Sequence, residues 1–306
     1  MERSFFSRGK LLLTGEYAVL QNATSVAVPT ILGQSLKVSS ISSNERILHW
    51  KAYDVEARVW FSGQYHLNNN KFAESTDMEI ANRLEVILTE ARKHSNFLEN
   101  GSFSIETKLD FPTNYGLGSS STLINNIALW ANIDPYKLLS SSFGGSGFDL
   151  AVAQANSPIR YWLKAGQPNW NQLNYHPKFT NELWFIHLNE KAVSREAIKK
   201  DFAFNEMQIN KISKLSEKLL ELNRISELEA LIEEHERIVS EVLGIKTVKE
   251  RLFSNFHRSV KSLGAWGGDF VLVTATEEEL SYFRSEGYNS IFNYSELILN
   301  NEREGR

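Results

Sequence analysis

The sequence predicts an α/β (α+β) protein built as two domains, residues 1–165 and 166–306. Three observations carry that reading. The chain has 306 residues, 42% of them hydrophobic. That is ample for a large core, and at roughly 100–200 residues per domain it fits two domains or one large unit. Short apolar runs with strand character alternate with segments of helical spacing. Beyond about residue 160 the texture changes, and residues 205–262 are rich in Glu, Lys, Leu and Ile at helical spacing.

Residues 1–110 read mainly as strands with one helix. Leu11, Leu12 and Leu13 form an apolar run suited to a strand. Val55, Ala57, Val59 and Phe61 alternate with Glu56, Arg58 and Trp60, the period-2 pattern of a half-buried strand. Ile80, Leu84, Ile87, Leu88 and Ala91 fall at helical spacing, with Thr76 or Asp77 placed as N-cap. Phe103, Ile105 and Leu109 predict a strand ending by Pro112. Leu123, Ile124, Ile127 and Ala128 predict an apolar helix, and Asp134-Pro135 supplies the cap and first turn of a short one. A glycine cluster, Gly144-Gly145-Ser146-Gly147, then opens onto Phe148-Asp149-Leu150-Ala151. Trp184 to Leu188 predicts a buried strand and residues 205–262 two or three helices. Phe270 to Val273 predicts a core strand after the Gly264–Asp269 interruption.

Charge is close to balanced, with 33 basic and 37 acidic residues and a net of −4. No long basic run supports binding to nucleic acid or an anionic membrane. The absence of cysteine excludes disulfides, thiolate metal sites and a cysteine nucleophile, and fits a reducing cytoplasm. Arg3, Arg8 and Lys10 lie among apolar runs too short for a signal peptide or for the roughly 20 residues of a membrane span. The expectation is a soluble, unprocessed cytoplasmic protein acting on a small molecule. Neither nucleic acid nor membrane is an expected partner, and a homodimer is left open.

The strongest chemical signal is Pro112-Thr113-Asn114-Tyr115-Gly116-Leu117-Gly118-Ser119-Ser120-Ser121, between a predicted strand and a predicted helix. Glycines let successive N–H groups approach an anion, the helix start adds its positive dipole end, and serine hydroxyls can donate to phosphate or bind Mg2+. A short Gly/Ser match alone more often marks an ordinary loop; the flanking strand and helix argue for the phosphate loop. The pattern G-x-x-x-x-G-K is absent. Asp149 could accept a proton from an acceptor hydroxyl, or could simply cap a helix. Lys10 could steady negative charge or be a surface lysine. Gly264, Gly267 and Gly268 exceed what a helix-to-strand turn needs. The seven histidines show no metal-binding spacing, and His187 reads as a core residue.

In order along the chain, these segments resemble the three motifs of the GHMP small-molecule kinases. Gly9 to Leu20 (GKLLLTGEYAVL) is similar to the first motif as found in mevalonate and phosphomevalonate kinases. Pro112 to Ser121 resembles the second, P-x-x-x-G-L-G-S-S, and Leu263 to Asp269 the third. Gly147-Phe148-Asp149-Leu150-Ala151 resembles the G-Y-D-I-A run of a bacterial group. The resemblance implies a ribosomal-S5-like N-terminal domain, a ferredoxin-like C-terminal domain and a cleft between them. It implies ATP and Mg2+ as cofactors and a mevalonate-type acceptor. Gly116, Leu117, Gly118, Ser119, Ser120 and Ser121 would wrap the ATP phosphates, with Ser119 or Ser120 on Mg2+. Asp149 would be the catalytic carboxylate with Lys10 beside it. Glu16 and Tyr17 would lie near the acceptor, and Gly264, Gly267, Gly268 and Asp269 would help close the cleft.

Two departures stand out. Many mevalonate kinases hold Mg2+ with a glutamate one short helix before the catalytic aspartate, but Tyr136-Lys137-Leu138-Leu139-Ser140 has no acid. Trp266 also stands where relatives have glycine, while the closing Gly267-Gly268-Asp269 resembles phosphomevalonate kinases. Two alternatives accompany the kinase reading. One is an ATP-dependent diphosphomevalonate decarboxylase, whose phosphate loop usually carries alanine and serine where this chain has Gly116-Leu117-Gly118. The other is a non-catalytic ligand sensor on the same fold.

Overall fold

The computed structural model describes residues 2–142, 144–189, 202–264, 266 and 268–299. In chain order the elements are β1 (Glu2–Thr14), β2 (Ser25–Ile41), β3 (Ile47–Tyr53), β4 (Val59–His66), β5 (Lys71–Ser75), α1 (Met78–His94), β6 (Ser102–Leu109), α2 (Ser119–Ala131), α3 (Pro135–Ser142) and α4 (Phe148–Ala153). There follow β7 (Ile159–Lys164), β8 (Gln167–Gln172), β9 (Leu183–His187), α5 (Glu206–Leu219), α6 (Ile225–Leu243), α7 (Val248–Leu252), β10 (Val260–Leu263), β11 (Phe270–Thr274), α8 (Leu280–Ser285), β12 (Ile291–Asn293) and α9 (Tyr294–Leu297). They group into two compact units. The first holds the chain up to Gly9, Leu32–Thr113 and Gly118–Gln154; the second holds Lys10–Ile31, Asn114–Leu117 and the chain from Ala155 onward.

In the first unit the strand order is β5-β4-β3-β6-β2, with β1 also pairing β2. β3 and β6 run parallel, Leu48 opposite Phe103, and the chain between them supplies β4, β5 and α1. A parallel pair needs such a long crossover, because a tight turn can join only antiparallel strands. Trp50, Phe61, Tyr65 and Ile105 from the strands form one core with Leu84, Ile87 and Leu88 of α1, Ile124, Ile127 and Trp130 of α2, and Leu138 of α3. Asp77 caps α1 as predicted, accepting from the N–H groups of Glu79 and Ile80. Asp134 takes up the Tyr136 N–H at 3.0 Å at the head of α3.

The alternation from Val55 to Phe61 corrects the sequence reading. Only Val59 onward is strand. The Asp54 carboxylate accepts from the N–H groups of Glu56 and Arg58, both at 2.9 Å, and Ala57 adopts φ 60. This aspartate-led turn overrides the period-2 pattern and leaves Val55 exposed.

In the second unit the sheet order is β10-β11-β9-β12, every neighbouring pair antiparallel. The chain order strand, helices, strand, strand, helix, strand makes this a ferredoxin-like arrangement. Ile186, Val271 and Val273 pack one face onto Phe253, Leu280 and Phe283. Three helices, α5, α6 and α7, lie between Glu206 and Leu252, so the helical segment ends before the predicted limit of residue 262. α5 opens with a capping box between Asn205 and Gln208. Val260 to Leu263 is a strand, with Leu263 opposite Phe270, so Gly264–Asp269 joins two strands rather than a helix to a strand. No described helix is long and apolar enough to cross a membrane.

Candidate functional site

The second-motif segment belongs partly to each unit. In the first, α2 begins at Ser119 with Gly118 as N-cap at φ 88, ψ 41. Glycine brings no side-chain oxygen to the first-turn N–H groups of Ser119, Ser120 and Ser121, so these donors are left to an anion or water. The helix is held from beneath by a polar ladder that an apolar helix did not advertise. The Thr122 hydroxyl lies 2.8 Å from Gln34 Oε1, and Asn126 Nδ2 donates to the Gln34 carbonyl at 2.8 Å. Ser7 Oγ donates to Asn126 Oδ1 at 2.7 Å, and Asn125 Nδ2 donates to Ser7 Oγ at 2.9 Å. Bonds of this kind, buried and directional, fix the helix register better than packing alone.

Asp149 is the second residue of α4, and the N-cap is Gly147 at φ 82. The aspartate is therefore not the cap that sequence alone allowed. Gly147 takes φ 82 and a Cβ there would lie 2.9 Å from the Tyr136 ring, so any other residue would be strained and would have to displace that ring. Gly144 and Gly145, by contrast, have open space around them and serve only through their positive φ.

In the second unit the structure brings the three motif segments together. The Lys10 N–H donates to the Leu117 carbonyl at 3.0 Å. Gly116, at φ 64, lies against Asp269, so a Cβ there would meet Asp269 Oδ2 at 2.0 Å. The Trp266 N–H donates to the Tyr17 hydroxyl at 2.9 Å. Asn114 and Tyr115 are anchored by His187, whose Nε2 faces the Asn114 carbonyl at 3.2 Å and whose ring lies 4.5 Å from that of Tyr115. The Asn189 N–H faces His187 Nδ1 at 3.2 Å, so the ring is a satisfied core histidine, as predicted. Gly264 takes φ 74 and Asp269 φ 66. Gly267 lies outside the described residues.

No family model matches the chain, and no curated protein matches it. Solved structures do. A Methanococcus jannaschii mevalonate kinase superposes with a TM-score of 0.72 at 16% identity, covering 98% of this chain and 99% of that one. A Streptococcus pneumoniae phosphomevalonate kinase, solved with phosphomevalonate and AMPPNP, gives 0.68 at 15% identity over 95% and 99%. A Lactococcus lactis galactokinase bound to galactose gives 0.67 at 12% over 97% and 93%. The chain has the GHMP-kinase fold.

Glu16 is deeply buried within the second unit. Its side chain is 1% exposed and its Oε1 pairs with the ammonium of Lys261, itself 1% exposed. Lys261 also donates to the Ser262 carbonyl at 2.9 Å, and Glu236 Oε1 lies 3.7 Å from its Nζ. Burial pushes the Glu236 carboxyl up to about 8, against the attraction of Lys261 and aided by the charge of Glu16. Burial likewise raises Glu16, with Lys261 opposing. Burial and then the Lys261 charge hold His235 well below its usual range, so its ring is neutral. Its Nε2 accepts from the Gly15 N–H at 3.0 Å, which puts the ring proton on Nδ1. The 3.2 Å approach of Glu16 Oε2 to the same nitrogen is then no ion pair. Sequence reasoning missed Lys261, Glu236 and His235.

Among the described residues no group of three or more His, Asp or Glu side chains is placed to hold a metal.

Proposed function

We propose that the protein is an ATP-dependent small-molecule kinase that phosphorylates a mevalonate-type acceptor, mevalonate or phosphomevalonate. The observation that carries this reading is the start of α2: a glycine N-cap in left-handed conformation, three serines in the first turn, and Thr122 and Asn126 anchoring the helix to Gln34. The likeness in fold to mevalonate and phosphomevalonate kinases supports the reaction class and the acceptor type. Lysine, aspartate and phosphate-loop residues are all present, which favours a working enzyme over a sensor.

ATP would supply the γ-phosphoryl group, and Mg2+ would offset its negative charge. The residues of the chain supply the rest. The N–H groups of Ser119, Ser120 and Ser121 would hold phosphate oxygens at the positive end of α2, and the Ser119 or Ser120 hydroxyl would be the donor to Mg2+. Asp149 takes the proton of an acceptor hydroxyl as its oxygen bonds to the γ-phosphorus and the bond to the bridging oxygen of the leaving ADP breaks. Lys10 steadies charge on the transferred group. With phosphomevalonate the attacking oxygen is already ionised, and Asp149 orients rather than deprotonates.

A coupled ADP-release assay with Mg-ATP, run against mevalonate and phosphomevalonate with the Asp149→Asn variant as control, tests this. Asp149-dependent turnover with either acceptor is the expected result. ADP release with neither, or carbon dioxide release from diphosphomevalonate, refutes the assignment.

A further inference from the structure

The turn Gly15-Glu16-Tyr17 is strained. Gly15 adopts φ 92 and a Cβ there would meet Ser25 Oγ at 2.1 Å. Tyr17, which is not glycine, adopts φ 60, ψ −41 at the head of a short 3-10 turn, Ala18–Gln21. A bulky residue in that region costs on the order of 1–3 kcal/mol and persists only where its surroundings over-determine it. Within the second unit side chains far along the chain grip this turn. His235 accepts the Gly15 N–H, and the Tyr17 hydroxyl accepts the Trp266 N–H. Lys261 joins the two ends, pairing with Glu16 and donating to the Ser262 carbonyl, while Glu236 Oε2 accepts the Ser262 N–H at 3.2 Å.

A buried lysine is a weak source of stability, because desolvating two charges offsets most of their attraction, and an apolar pair of similar size often does as well. A buried ammonium is also a demanding group. It must be met by fixed acceptors, and each of those bonds is directional. Lys261 spends its bonds on the first motif at one end and on the strand leading into the third motif at the other.

We infer that Lys261 is a positioning residue, fixing the Gly15–Tyr17 turn against the Ser262–Trp266 backbone and thereby setting Tyr17 for the acceptor. The last clause rests on the function proposed above. The contact set itself does not.

The experiment compares wild type, Lys261→Met and the double variant Glu16→Gln/Lys261→Met. Lys261→Met strands a buried carboxylate and is expected to unfold readily, so the double variant decides. It should recover the wild-type urea midpoint, since the charge pair leaves together. Its turnover with Mg-ATP and mevalonate or phosphomevalonate should stay down by at least ~10-fold, because small misplacements cost that much. ADP affinity, measured by calorimetry, should stay within about twofold of wild type, as expected when only acceptor positioning is lost. Exchange of the Gly15 and Trp266 amides should accelerate by at least ~10-fold without a change in global stability. Recovery of turnover together with stability, or wild-type exchange at both amides, overturns the inference. Inert wild-type protein refutes the proposed function instead, and the amide exchange then decides the positioning role by itself.

Discussion

Glu236→Gln is the most discriminating single change the structure offers. Glu236 lies on α6, 3% exposed, with one ammonium shared between it and Glu16. Two buried carboxyls facing one cation cannot both ionise cheaply, and burial keeps Glu236 protonated up to about pH 8. The consequence for stability has a definite sign. Below about pH 4.5 both native and unfolded chains hold this proton, and it contributes nothing to the difference. As pH rises from there to about 8, the unfolded chain releases the proton and the native chain retains it. Native stability therefore falls across that window and levels off above it.

At about 1.4 kcal/mol for each tenfold change in proton affinity, the gap between 4.5 and about 8 sets a ceiling near 5 kcal/mol. Between about pH 5.5 and about pH 8.5 the same reasoning gives about 3 kcal/mol. Glutamine keeps an oxygen for the Ser262 N–H and has no proton to lose. The assay is urea unfolding of both proteins at those two pH values, followed by circular dichroism. Wild type should lose stability relative to Glu236→Gln by about 3 kcal/mol on going to the higher pH. Parallel pH profiles for the two proteins would show that Glu236 is ionised in the native state, and the charge assignment of the whole cluster would fall with it.

Three further outcomes are expected. Asp149→Asn should lower turnover on an alcohol acceptor by at least roughly 10²-fold, the low end for loss of a general base, in the ADP-release assay. Gly116→Ala should be destabilised both by its φ of 64, worth about 1–2 kcal/mol, and by collision with Asp269. Adding Asp269→Gly should relieve the second part alone, so that thermal unfolding of the double variant shows less loss than the two singles added. Thr122→Val should cost about 1–3 kcal/mol by leaving buried Gln34 Oε1 without its partner, read from urea unfolding.

Much of this was legible in local sequence because local rules decide it. Asp77 and Asp134 cap helices where their side chains can reach N–H groups two or three residues on. Glycine runs marked the positive-φ positions at Gly116, Gly118, Gly147 and Gly264. Where a local rule competed with another, the pattern misled: the Asp54 turn defeats the alternation from Val55. Contacts across large separations left no trace. Lys261 meets Glu16 over 245 positions, and nothing near either residue marks it as buried. Asn125 and Asn126 lie within the helix predicted as apolar, yet they are buried against Ser7 and Gln34.

The non-glycine residues held at positive φ separate the ordinary from the informative. Asn22, Asn70, Asn132 and Asn189 tolerate that region through their own short side chains, and occur in turns or at a helix end. Asp269 shares that tolerance, while Tyr17, like Ala57, Leu98 and Ala165, lacks it; Tyr17 and Asp269 both fall inside segments that resemble kinase motifs. Each is also gripped from the side: Tyr17 through the Trp266 N–H, Asp269 through the Leu188 N–H on its carbonyl at 2.8 Å and through Gly116. Strain of this kind survives where relaxing it would move a side chain that must stay in place. Trp266 is buried in a cluster with Ile212 of α5 and Ile238 and Val239 of α6, against which Tyr17 and Phe202 also pack, so its N–H is held where the Tyr17 hydroxyl meets it.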